Sequence, residues 1–165
     1  MMMFAILTAS RMKAVRLATW GEIDFENRLW DIPPSRPKTN EWIFKTDNGG
    51  NFSGAATTAL IRRMHDRQKA LDGIGWIAPD KSKREGKVCV ITAHGTARSG
   101  FRTWAKDDRL GNNRKYDQAA AEPCLLHCKS SDDYHGAYDR ARLSTERQRL
   151  MNDWGKFCFS PITGN

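Results

Sequence analysis

Apolar positions near the start of the chain recur at helical spacing, then change period after Thr19. Phe4, Leu7, Val15 and Leu17, with Arg11 and Arg16 between them, predict a helix over residues 2–19. In "WGEIDFENRLWDIPP" the apolar residues Ile23, Phe25, Leu29, Trp30 and Ile32 flank the turn-like "ENR". That pattern predicts a β-hairpin, closed by Pro33 and Pro34. "EWIF" at 41–44 supplies a third strand after the turn "SRPKTN". "TDNGGNFSG" reads as a loop, with Ser53 as the cap of a helix over 54–71. "DGIGWIAPDKSKREGK" reads as an exposed loop, and "VCVIT" leads into a helix over about residues 94–106. "DDRLGNNRK" ends that helix, and three short helices follow near 115–126, 132–139 and 144–157. Repeats and low-complexity stretches are absent. The expected class is α+β, mainly α, with a small three-stranded antiparallel sheet near the N-terminus.

Composition narrows the partner more than the fold. The 165 residues fit one domain with a single core. Lys and Arg number 27 against 19 Asp and Glu, a net charge of +8, while 39% of residues are hydrophobic. A folded domain with that excess of cations suits a polyanion, with nucleic acid first; a basic protein with no such partner is the alternative. The 4 cysteines, Cys89, Cys124, Cys128 and Cys158, include no CxxC pair, which disfavours a zinc module. Unpaired cysteines point to a reducing cytoplasm. No run approaches the roughly 18–20 apolar residues of a membrane span. "MMMFAILTAS" lacks the cationic start of a signal peptide and begins abruptly with apolar residues, as a piece of a longer protein would.

The densest candidate chemistry lies in "ITAHGTARSGFRTWAKD", where His94, Arg98 and Arg102 follow one another at four-residue intervals. On a helix these share a face, which by itself describes an ordinary basic surface. Its neighbours in chain order change the picture: Arg11 in "TASR", Lys38 in "SRPKTN", His127 in "AEPCLLHC" and Tyr138 in "GAYDR". This order, with "RTWA" and the closing "RQRLMNDW", resembles the catalytic domain of the tyrosine recombinases, in particular the integrases of prophages and other mobile genetic elements. The resemblance runs from Leu7 to about Cys158.

The resemblance implies a fold like that of the type IB topoisomerases and a catalytic set of Arg11, Lys38, His94, Arg98, His127 and Tyr138. The tyrosine attacks a DNA phosphodiester and forms a 3′-phosphotyrosyl bond. The arginines meet the charge on the non-bridging oxygens, the histidines share the phenol proton, and the lysine protonates the departing 5′-oxygen. It implies no metal and no cofactor. Partners would be double-stranded DNA at attachment sites and other integrase protomers, four on DNA, with a monomer in solution and no membrane. A full integrase carries further DNA-binding segments before this domain. Arg102 and Arg140 are placed on DNA phosphates, Trp104 and Trp154 in the core, and His65 and His135 on the surface.

Three positions depart from the family pattern. Ala14 stands where a glutamate usually braces the first arginine. Three residues separate His94 from Arg98 where two are usual, and the interval from His127 to Tyr138 is about one residue longer than usual. Tyr134 therefore stays open as an alternative nucleophile, and a non-catalytic DNA-binding module as an alternative function.

Overall fold

The computed structural model describes residues 1–36, 41–125 and 136–160, with side chains of the last stretch from Leu143 onward. Its elements are mainly helical, with one two-stranded antiparallel sheet. They fall into two compact units, one of Met1–Met2 with Met12–Ala93, the other of Met3–Arg11 with His94–Asn165.

In the first unit, α2 (Met12–Arg16) leads into a single 3₁₀ turn at Trp20–Glu22 and then the hairpin β1 (Ile23–Asp24) and β2 (Leu29–Trp30). Ile23 pairs with Trp30 and Asp24 with Leu29, as the alternating pattern requires. The expected third strand does not join this sheet. "EWIF" turns instead to the segment before the hairpin: Trp20 N–H donates to Glu41 C=O at 3.2 Å and Ile43 N–H to Ala18 C=O at 2.9 Å. The 3₁₀ turn at Trp20 bends the chain away at once, so the pairing stays one bridge long, Thr19 to Trp42. Among the described residues the sheet has two strands, not three.

α3 (Gly54–Asp72) buries one stripe, Thr57, Ile61 and His65, at four-residue spacing. His65 is thus buried rather than a surface residue. Its Nδ1 lies 2.9 Å from the Trp76 N–H and 3.1 Å from the Trp76 C=O, so the ring is held against the backbone of Trp76. Gly73 ends α3 in the left-handed conformation, φ +76°. Residues expected to form a loop instead contain α4 (Pro79–Glu85), started by Pro79 and stopped by Gly86 at φ +63°.

The second unit takes in α1 (Met2–Leu7) from Met3 onward. The helix expected over 2–19 is broken: Ala9 adopts φ +49°, Ala9 N–H bonds Ile6 C=O, and Ser10 N–H reaches back to Ala5 C=O at 3.1 Å. This is a Schellman closure with alanine in the place glycine usually fills. After it come a π turn at Gly95–Ser99, α5 (Gly100–Ala105), α6 (Asn112–Lys115), α7 (Gln118–Cys124) and α8 (Gly136–Phe159). Asp117 caps α7 by accepting the Ala119 N–H at 2.8 Å. The last two expected helices are one continuous helix, α8, because nothing in "RARLSTERQRL" breaks it and Leu143, Leu150 and Trp154 bury the same side.

An aromatic core holds this unit together. Phe101, fully buried, meets the Trp154 ring edge-on at 5.5 Å, and Trp104 lies 5.2 Å from Trp154 and 5.4 Å from Tyr116. Trp154 Nε1 also donates to Ile6 C=O at 2.7 Å, so one residue of α8 joins α5 to α1. Trp104 and Trp154 are core residues, as expected.

Candidate phosphate-binding site

Arg11 follows directly on the α1 closure. Ala9 and Ser10 are buried, Ala9 within the aromatic core, while Arg11 is exposed at its margin. A non-glycine residue at positive φ two positions before a candidate ligand is backbone strain of the kind that functional sites retain.

His94 and Arg98 stand on the turn that opens α5. Gly100 N–H donates to Gly95 C=O, a bond across five residues rather than four. A π turn takes up one residue more than an α turn, and this one spans Gly95 to Ser99, between His94 and α5. The register of α5 is undisturbed, and Phe101, Trp104 and Ala105 all face the core. His94 is exposed at the start of the turn, and Arg98, about one turn on, is only 4% exposed.

Burial is the main influence on the Arg98 guanidinium, pushing its pKa below the ordinary arginine value. The positive charge of Arg11 acts in the same direction, and the carboxylate of Glu122 opposes both. Arg11 and Arg98, remote in sequence, therefore lie within electrostatic reach of each other. Gathering two cations beside a core costs energy that an anion recovers. Arg102, half exposed on α5, meets Glu122 of α7 at 3.1 Å. Farther along, Arg102, Thr103, Lys106 and Arg109 line a shallow groove shared with Asp107 and Asp108, and Asp107 already holds Arg109 at 3.0 Å.

Of the remaining expected site residues, Lys38, His127 and the alternative Tyr134 lie outside the described residues, as does His135. Tyr138 and Arg140 fall within the backbone of α8, near its start, and their side chains are also outside the description. The third tyrosine, Tyr116, is buried and donates to Asp153 Oδ2 at 2.9 Å. Burial raises its pKa, so its phenol is poorly suited to act as a nucleophile.

Two features of these sites carry no sequence signal. Glu122 is one. The other is a nearly buried ion pair in the first unit, where Arg36 donates Nε and Nη2 to the two oxygens of Glu22, both at 2.7 Å. Trp30 Nε1 adds a third bond to that carboxylate at 2.8 Å, and Arg36 Nη1 donates to Ala14 C=O at 2.9 Å. Ala14 thus contributes its carbonyl to an arginine held by Glu22. Buried carboxylates and guanidiniums find each other through folding, and their separation in sequence follows no fixed spacing.

No described helix is long and apolar enough to cross a membrane. Comparison with known proteins gives no match to this chain, whether by family model, curated sequence or solved structure.

Proposed function

We propose that the chain is the catalytic domain of a site-specific DNA recombinase of the integrase type, with the recombinase topology, acting in the cytoplasm. The observation that carries this reading is the buried Arg98 on which the charge of Arg11 acts, with His94 one turn before Arg98. Two guanidiniums present paired donors to the non-bridging oxygens of one phosphodiester, where negative charge concentrates as the reaction proceeds.

In this reading Tyr138 Oη attacks phosphorus while the P–O5′ bond breaks. The phenol proton passes to a histidine, His94 or His127, and Lys38 protonates the 5′-oxygen. The phosphodiester becomes a 3′-phosphotyrosyl ester, and attack by a 5′-hydroxyl reverses the step without ATP. Arg102 and Arg140 hold flanking phosphates, and four protomers assemble on two duplexes from a monomer in solution.

A duplex with a nick beside the scissile phosphate traps the intermediate as a covalent adduct. The chain should form it, Tyr138→Phe should abolish it, and Arg98→Ala should slow it by about 10²–10³-fold. An adduct retained by Tyr138→Phe transfers the assignment to Tyr134. The second reading, a non-catalytic duplex-binding module, is favoured by Ala14 in the brace position. It predicts salt-dependent binding and no adduct with any substrate.

A further inference from the structure

Glu122 is the residue at the arginine cluster that the proposed chemistry does not use. It sits on α7, one turn before the end of the described part of that region, and its side chain is 25% exposed. Its Oε1 lies 3.1 Å from Arg102 Nη2, and its charge also reaches Arg98, opposing the effects of burial and Arg11. One carboxylate thus contacts the guanidinium of Arg102 and acts through its charge on that of Arg98, one helical turn away across the junction of the π turn and α5. A carboxylate between two arginines has the charge and the planar oxygen pair of a phosphodiester's non-bridging edge.

We propose that Glu122 is the internal counter-ion of the phosphate site, a protein carboxylate with which the DNA backbone must compete. This rests on the recombinase reading and adds a regulatory element to it. Glu122 keeps the cations from repelling one another in the folded chain. The scissile phosphate on Arg98 and the flanking phosphate on Arg102 then each meet a cation that already has a carboxylate beside it, so affinity is lowered. Non-specific duplex, which offers only isolated backbone phosphates, is disfavoured most, and a site that adds other contacts overcomes the competition. A bracing role would be the opposite case: Glu122 would hold Arg102 in the geometry that phosphate needs, and its loss would weaken binding.

The two roles predict opposite signs in one experiment. The probe is a fluorescently labelled 20-base-pair duplex of arbitrary sequence, titrated with the full chain across a range of salt concentrations. Glu122→Gln, nearly the same shape without the charge, should bind about two- to fivefold more tightly, the range set by an exposed ion pair. Its log Kd should also rise more steeply with log salt, by about 0.9 for the one additional phosphate contact. Glu122→Asp, with the charge on a shorter arm, should fall between the wild type and E122Q. Unchanged or weaker binding by E122Q, or an E122D variant outside that order, overturns the counter-ion assignment. Arg98→Ala separates this from the reading beneath it. If R98A binds as the wild type does, the cluster is not a phosphate site and both inferences fall. If R98A weakens binding while E122Q does not tighten it, only the role of Glu122 is lost.

Discussion

Two glycines after α3 separate backbone strain from contact almost completely. Gly73 and Gly75 have φ of +76° and +72°, so an alanine at either meets nearly the same left-handed penalty, about 1 kcal/mol. Their surroundings differ. A Cβ at Gly73 meets nothing within 4 Å, whereas at Gly75 it lies 2.7 Å from His65 Cε1 and Nδ1 and 2.9 Å from the His65 carbonyl oxygen. The ring cannot simply turn aside, because His65 Nδ1 is held against the Trp76 backbone and the residue is buried. Displacing it adds overpacking strain of about 1–3 kcal/mol and a broken hydrogen bond of about 1 kcal/mol. Gly75→Ala should therefore cost about 3–5 kcal/mol, and Gly73→Ala about 1 kcal/mol. Urea unfolding of the two variants beside the wild type, followed by tryptophan fluorescence, measures the difference directly. Equal losses, or a Gly75→Ala loss no greater than about 1 kcal/mol, would refute the contact reasoning, since the backbone contribution is common to both.

Three further outcomes follow from the packing. Phe101→Ala, at a side chain with no exposed surface, should cost about 3–5 kcal/mol in the same assay, and Phe101→Leu clearly less. Glu22→Gln should destabilise by about 3 kcal/mol because it leaves the nearly buried Arg36 without its counter-charge, while E22Q combined with R36Q should cost less than E22Q alone; a double-mutant cycle by urea unfolding reads the coupling. The Asp153 carboxyl is held below its ordinary pKa, first by Lys115 and then by Tyr116, so it stays ionised in the folded chain where the unfolded chain would protonate it. Its contribution is present above the unfolded pKa of about 3.9 and is lost as pH falls through the lower folded value, so Asp153→Asn should flatten the acid limb of a plot of thermal midpoint against pH.

The parts of the fold legible in the sequence are those set by local rules. The hairpin at Ile23–Trp30 follows from strand alternation, and the helix at Gly54–Asp72 begins after Ser53 as expected, although the serine side chain makes no cap bond. The break in the first helix does not, since Ala9 is a good helix former whose left-handed φ is imposed by the closure of α1 and by core burial. The third strand failed for a related reason: the apolar pattern of "EWIF" states that it pairs, and the turn at Trp20 decides how far. α4 was recoverable, for Pro79 and Gly86 bracket it, but the glycines before it obscured the signal. His65 was hidden because its stripe, Thr57–Ile61–His65, contains only one apolar residue. Arg11 and Arg98 stand out in the sequence as candidates, and their electrostatic proximity is something only the fold supplies. Glu122 and the Glu22–Arg36 pair do not stand out, because each is defined by a partner that only the fold supplies.

The π turn at Gly95–Ser99 makes the chain unevenly sensitive to changes in length. Deleting one residue inside it converts a five-residue closure to a four-residue one, leaving α5 in register and Arg98 or its replacement at the same helix end. Deleting one residue within Gly100–Ala105 has no such outlet. Everything after it rotates by about 100°, which turns Trp104 and Ala105 out of the core they share with Trp154. The turn is a length buffer: it lets the spacing between His94 and Arg98 vary while the aromatic core stays fixed.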